Sequence, residues 1–403
     1  MSLTLHHNFA EDKSLVARVG PTLSCTRALG TATQVNSSGL IEAVAANTAR
    51  FDHLPVSPFT SLGLLAEEAR TNICLYSEDL SNAAWVASNV TKGSTSVTAP
   101  DGAANTAVRL TASAANGTIL QTVTSASATR DYSVYMKRVT GTGNIDLTVD
   151  GGTTWTTKTL TADWTRFDIT QAAVTNPQVG VRIVASGDAI DFWGSSLEAG
   201  AFPTSYIKTE ASSVTRNADV VTVVDVSFYN ENAGTLYADF INRVNPTISA
   251  DRFAVAVASA ANNQLALGFR NAGDTIYSIH ETASGTDGSS LTETALIDTR
   301  YKAAAGYASN DLRTYSNGNA GNAVASVTVP ASNTFTTLTA GASGIGNAEY
   351  WNGTIAEIRY YNTRLADTEL EDMSNGIFPS SGSSNTGNTG PGLTFGMMGK
   401  MGA

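Results

Sequence analysis

The stretch Gly63 to Trp85, GLLAEEARTNICLYSEDLSNAAW, decides how the chain reads. A short apolar run, Leu62 to Ala66, leads into a charged and polar turn, Glu67-Glu68-Ala69-Arg70-Thr71-Asn72. A second apolar run follows, Ile73 to Tyr76, then the loop Ser77-Glu78-Asp79-Leu80-Ser81-Asn82, closing on Trp85. Upstream lie 62 residues of mixed turn signals, and downstream lies a long run of β-patterned sequence. The stretch therefore reads as a divider. Glu67, Arg70 and Asn72 are the residues expected to form the joint.

Upstream, residues 22–33 are roughly strand-like, and Gln34-Val35-Asn36-Ser37-Ser38-Gly39 is a turn, with Gly39 free to take a positive φ. Residues 46–53 read as a loop, and Pro55 and Pro58 interrupt any ladder. With so few aliphatic residues the segment buries little surface. Residues 1–70 are expected to be an irregular docking arm rather than a domain.

Downstream, apolar and polar residues alternate along Val108-Arg109-Leu110-Thr111, Tyr132-Ser133-Val134-Tyr135-Met136 and Trp164-Thr165-Arg166-Phe167-Asp168-Ile169. Turn signals such as Asn116-Gly117 and Asp150-Gly151-Gly152 separate such runs. Many short strands at this spacing predict a sandwich or jelly roll over 71–216. Residues 217–378 predict a second all-β unit, with strands over 219–226, 234–241, 252–258, 264–269, 275–279, 301–307, 312–316, 323–329 and 354–360. One helix is predicted over 363–374, capped by Asp367 and ended by Gly376. Residues 379–403 are Gly-, Ser- and Asn-rich. Leu393, Phe395, Met397 and Met398 in that tail are candidate anchors on a partner. The expected fold class is all-β, with two consecutive antiparallel β-sandwiches after the arm.

Composition narrows the function. The 403 residues suit two or three domains, and a 42% hydrophobic fraction supplies real cores. A formal charge of -11 repels phosphate backbones and anionic lipid, so neither nucleic acid nor a membrane is an expected partner. No apolar run approaches the roughly 20 residues of a membrane span. The start, MSLTLHHNFAEDKS, lacks the pattern of a signal peptide, which points to synthesis in a cytosol. Cys25 and Cys74 have no CxxC partner and read as two buried free thiols, a disulfide between them being the sharper alternative.

No catalytic constellation emerges. His6, His7, His53 and His280 lack metal spacing, and neither GxSxG nor a P-loop is present. Of the carboxylate pairs, Glu67 and Glu68 are adjacent on extended chain and point to opposite faces. The chain is not expected to be an enzyme. Calcium is the one cofactor weighed, with Asp79, Asp101 and Asp191 as loop-oxygen candidates. Trp155, Trp164 and Tyr135 are the candidates for stacking on sugar rings.

Three resemblances extend this reading. Residues 20–85 carry, in order, Thr26-Arg27-Ala28, Gly39-Leu40-Ile41, Asn47-Thr48-Ala49-Arg50-Phe51-Asp52, Gly63-Leu64-Leu65-Ala66-Glu67, Arg70-Thr71-Asn72 and Tyr76-Ser77-Glu78-Asp79-Leu80-Ser81. The series resembles a module of tailed-bacteriophage virion proteins of the head spike, head fibre or tail fibre type. Trp85, Tyr132-Ser133-Val134-Tyr135-Met136-Lys137 and the run from Trp193 to Ile207 are similar to jelly-roll carbohydrate-binding modules of phage structural proteins. Trp351-Asn352-Gly353-Thr354-Ile355-Ala356-Glu357-Ile358-Arg359-Tyr360-Tyr361, followed by Leu365 to Leu370, looks like the last strand and helix of a concanavalin-like or laminin-G-like domain. Together they imply a structural protein of the virion, made in the host bacterial cytoplasm. Its expected partners are other virion proteins and a host surface glycan, and its expected state is a homotrimer. A purely structural connector or decoration protein is the first alternative, and a capsule-degrading hydrolase or lyase the second.

Overall fold

The computed structural model describes residues 2–94, 97–244, 251–259, 263–270, 275–282, 285–329, 334–344 and 349–379. The C-terminal anchors Leu393, Phe395, Met397 and Met398 lie outside the described residues. Nearly all regular structure is antiparallel β, as expected, and it forms two sandwiches.

In the first sandwich, one sheet runs in the order Thr165–Val174, Ala128–Thr140, Ala189–Ala199, Val108–Ala112, Val90–Ser94. The facing sheet runs Thr156–Thr159, Asn144–Thr148, Gln178–Ile183, Gly117–Thr122, Val86–Ser88. Alternation explains the packing. Tyr132, Val134 and Met136 point into the core with Leu110, Ile119, Leu147, Val181 and Phe192. Tyr135, between two of them, faces out and packs with Trp193, Tyr206 and Trp164.

The second sandwich sets an eight-stranded sheet against a seven-stranded one. The larger follows the path Asn319–Ala320, Asp311–Ser316, Arg300–Ala308, Ala233–Asn242, Gly353–Tyr361, Ser61–Ala66, Arg50–His53. Leu3–Asn8 also pairs with Gly353–Tyr361. The smaller runs Ser24–Thr26, Val220–Val223, Thr337–Ala340, Arg252–Ser259, Asn263–Arg270, Thr275–Thr282, Gly285–Thr294.

Residues 2–66 thus do not stand apart as an arm. Four of their strands complete the second sandwich, and Leu5, Phe9, Leu23 and Leu64 enter its core. The expected loop over 46–53 contains the edge strand Arg50–His53. Gly63 shows how close the fit is: at φ 95° a Cβ there would sit 2.1 Å from the Ile355 carbonyl oxygen, so only glycine fits.

The chain leaves this sandwich after Ala66 and returns near residue 214. The strands Arg70–Asn72 and Val214–Arg216 pair at the crossing point. The first sandwich is therefore inserted into the second through a two-stranded neck, and the Gly63–Trp85 stretch is its outgoing strand. A hairpin, Ala32–Val35 with Ile41–Val44, folds back and lays Ile41 on the Trp193 cluster of the first sandwich. Gly39, at φ 75°, closes its turn as expected.

Smaller expectations shift. Residues 323–329 form no strand beyond one bridge from Leu312 to Val324. Gly285–Thr294, without an aliphatic signal until Leu291, does form one. The C-terminal helix is Asp367–Ser374, and its cap is Ala366 rather than Asp367. Glu369 accepts from the Ala366 amide at 2.8 Å, while Asp367 pairs with Arg364 at 2.6 Å. Leu370 and Met373 pack on the outer face of the larger sheet beside Tyr237. No helix among the described residues is long and apolar enough to cross a membrane. Cys25 and Cys74 are buried free thiols in different cores, so no disulfide joins them.

Candidate functional site

Buried charge holds the junction of the two sandwiches. Asp219, on the returning segment, accepts from Arg27 at 2.7 Å and pairs with Arg50. It also accepts the Glu67 amide at 3.0 Å. The Glu67 carboxylate meets Arg50 at 2.8 Å and Arg216 at 3.4 Å. It accepts from the Ser205 amide at 2.8 Å and the Ser205 hydroxyl at 2.7 Å. Burial alone would favour the neutral acid. The guanidiniums of Arg216 and Arg50 and the Ser205 hydrogen bonds overcome it and hold Glu67 far below the usual carboxylate range.

Glu67 and Glu68 diverge, as their adjacency implied. Glu68 takes the other side, with Arg70 at 2.6 Å and the Asn352 side-chain amide at 3.0 Å. Arg70 also lies 4.5 Å from the Phe202 ring centroid. Asn72 donates to the carbonyls of Ser195 at 3.0 Å and Ile207 at 2.8 Å. The three expected joint residues do sit at the junction, and each bridges segments far apart in the chain.

Above this network opens a cleft of about 420 Å³ between the sandwiches. One wall is the outer face of the first sandwich. There Tyr135 lies opposite Arg166, Ser133 opposite Asp168 and Asp131 opposite Thr170. The other wall carries Asp52, Arg243, Ile297 and Asp298 of the second sandwich. Residues 201–206 and the 32–44 hairpin close the ends.

Much of the polar lining is already engaged. Asp52 pairs with Arg243 at 2.8 Å and accepts the Val35 amide at 2.6 Å. Arg166 donates to the Thr204 carbonyl at 2.5 Å and to the Ser133 hydroxyl at 2.8 Å, with its guanidinium 5.5 Å from the Tyr135 ring centroid. Asp168 and Asp298 are exposed, and their carboxylates accept no hydrogen bond from any described residue. On the same face, Asp131 is 1% exposed and among the described residues accepts only the Thr170 hydroxyl, at 2.8 Å, with its other oxygen unpartnered. Burial, then the charge of Asp168, push Asp131 up to about 7.

The sugar-stacking candidates divide. Tyr135 lines the cleft. Trp164 shares its cluster but donates its indole N–H to the Thr98 carbonyl at 3.0 Å, with the Lys137 ammonium 5.1 Å from its ring centroid. Trp155, before an edge strand of the opposite sheet, is half-buried beneath Arg182, whose guanidinium lies 4.4 Å from its ring centroid. It does not join the other two.

The calcium candidates do not converge. Asp191 is buried and bound by Arg109 at 2.9 and 3.1 Å. Asp101 caps its own turn through the Ala103 amide at 2.9 Å. Asp79 accepts the Ser81 amide at 3.0 Å, on the rim of a separate pocket that also holds the Lys208–Glu78 pair. Among the described residues, no group of three or more His, Cys, Asp or Glu side chains could hold a metal.

Sequence reasoning missed Asp52, Asp168, Arg166, Arg243 and Asp298. On the strand Thr165–Val174, Arg166 and Asp168 carried a period-2 signal for a shared outward face. Asp52, Arg243 and Asp298 carried no local signal at all.

Comparison with known proteins bears on the second sandwich. Residues 204–371 match the family model described as the concanavalin A-like lectin/glucanases superfamily. No curated protein matches the chain. Among solved structures, the IT-sialidase CBM40 of Ruminococcus gnavus, bound to α2,3-sialyllactose, is similar at 13% identity and TM-score 0.32, over 36% of this chain and 83% of that one. Domain 4 of AbnA, a GH43 extracellular arabinanase of Geobacillus stearothermophilus in complex with arabinotriose, is similar at 11% identity and TM-score 0.34, over 44% and 82%. The NanB sialidase of Streptococcus pneumoniae is similar at 16% identity and TM-score 0.32, over 41% of this chain but only 29% of that enzyme. The family match places a lectin-like domain in the C-terminal half, and the structural likenesses carry no argument about ligand or activity.

Proposed function

We propose that this chain is a non-catalytic glycan-binding protein whose saccharide site is the cleft between its two sandwiches. The observation that carries this reading is the lectin/glucanase family match over residues 204–371, whose Arg243, Ile297 and Asp298 line one wall of an open cleft that Tyr135 of the first sandwich lines from the other. Sugar sites combine these elements: a ring face for the apolar side of a pyranose and fixed polar groups for its hydroxyls. The biological setting we propose is a bacteriophage fibre, spike or decoration protein, on the strength of the ordered resemblance over residues 20–85. Several copies on one particle would offset weak single-site affinity.

A glycan array probed with the whole chain and with Tyr135→Ala tests the reading. Saccharide binding by the whole chain and its loss in the variant support it. Binding unchanged in Tyr135→Ala, or release of reducing ends from a bound polysaccharide, contradicts it.

A further inference from the structure

The cleft has a chemical bias in what it leaves free. Its two guanidiniums are both engaged: Arg243 pairs with Asp52, and Arg166 donates to the Thr204 carbonyl and the Ser133 hydroxyl and covers the Tyr135 face, its unpartnered Nε buried away from the cleft. Gln34 is spent too, accepting from the Phe51 amide at 2.7 Å and donating to Glu42 at 2.7 Å. Asn352 accepts the Glu68 amide at 2.8 Å and donates to the Glu68 carboxylate. Among the described lining residues the unspent charged groups are the Asp168 and Asp298 carboxylates, one from each wall.

An anionic ligand would meet free carboxylates on both sides with no free guanidinium to receive it. An ammonium group would gain charge-assisted hydrogen bonds to Asp168 or Asp298.

We propose that the cleft takes a saccharide bearing a free amino group, of the hexosamine type, and discriminates against acidic saccharides such as sialylated or uronic-acid glycans. The proposal rests on the cleft being the glycan site. It adds the charge of the ligand.

The test is calorimetric titration of the whole chain with three probes. These are glucosamine oligomers, the same oligomers fully N-acetylated, and a sialic-acid oligomer. The expected result is about tenfold tighter binding of the free-amine oligomer than of its N-acetylated form, the size of one charge-assisted contact, and no measurable binding of the sialic-acid oligomer. The double variant Asp168→Asn, Asp298→Asn keeps side-chain shape and is expected to abolish the difference between the first two probes. Equal binding of the two, or preferred binding of the acidic probe, overturns the amino-sugar assignment and leaves the glycan reading standing. Binding by none of the three, with no saccharide bound on an array, overturns both.

Discussion

Arg50 and Asp219 lie 169 residues apart in the chain and meet as a buried ion pair, with Arg50 Nε 3.3 Å from Asp219 Oδ1. The pair ties an edge strand of the second sandwich to the segment by which the chain returns from the first. With Arg27, Glu67 and Arg216 it forms the floor on which the two sandwiches meet. Asp219→Asn keeps the shape and removes the charge. It leaves Arg50 and Arg216 with Glu67 alone and takes from Arg27 the carboxylate it pairs with, and breaking one partner of a buried network costs about 3–5 kcal/mol. Urea unfolding measures this. A loss below about 1 kcal/mol, the range of exposed pairs, would contradict the burial.

The inserted topology makes a second expectation. Replacing residues 73–213 by a short Gly/Ser linker across the Arg70–Asn72 and Val214–Arg216 neck should leave a chain that unfolds cooperatively. A fragment of residues 217–378 alone should not fold. It lacks Leu3–Asn8, Ser24–Thr26, Arg50–His53 and Ser61–Ala66, and with them Leu5, Phe9 and Leu64 of the core. Circular dichroism melts of the two proteins decide it, and a cooperative melt from the fragment would refute the nesting.

At the neck, Arg70→Ala removes the Glu68 pair and the contact with Phe202. A loss of about 1–2 kcal/mol is expected, localised to the neck. Amide exchange at residues 70–72 and 214–216 should rise about tenfold, while exchange in the core strands stays slow. A uniform rise across both sandwiches would show that Arg70 serves global stability instead.

Acid should weaken the fold before any carboxylate network titrates. Burial lowers His7 and His280 from an ordinary value of 6.5 to about 4. In the window between those values the unfolded chain binds protons that the folded one refuses. The stability these groups contribute is complete above pH 6.5 and is lost as pH falls toward 4, by about 3 kcal/mol for each histidine. Asp131 works the other way. Its folded value, raised to about 7, makes the folded state hold a proton that the unfolded state releases above its ordinary 3.8. It therefore offsets one histidine over much of the window, leaving a net loss of about 3 kcal/mol. Asp131→Asn should steepen the acid loss, and His280→Phe, keeping the stack on Tyr307, should flatten it. Urea midpoints at pH 7, 5.5 and 4.5 measure both. A slope unchanged in either variant contradicts the assignment.

How much of this was legible in the sequence depends on range. The strands of the first sandwich were legible because alternation is local: Tyr132, Val134 and Met136 announce an inner face and Tyr135 an outer one. The divider at Gly63–Trp85 was legible for the same reason, since apolar runs flank a charged turn. Membership of the first 66 residues in the second sandwich was not. Leu3 pairs with Tyr361 and Cys25 with Val221, and strands of three to six residues leave no periodic trace of so distant a partner. The junction network was hidden for a different reason. Arg27, Arg50 and Arg216 look like surface residues in sequence, yet all three are buried by carboxylates that come from other segments. Of the binding candidates, Tyr135 reached the cleft, whereas Trp155 was chosen for exposure on a loop that lies in the opposite sheet.

The glycan site, as proposed, needs both sandwiches. Its most direct test is calorimetric titration of one array-identified saccharide into the whole chain and into the chain whose residues 73–213 are replaced by a linker. The shortened chain keeps Asp52, Arg243 and Asp298 but loses Tyr135, Arg166 and Asp168. The expected result is binding by the whole chain and none by a shortened chain that still melts cooperatively. Undiminished affinity in that shortened chain would contradict the claim and move the site onto the second sandwich alone.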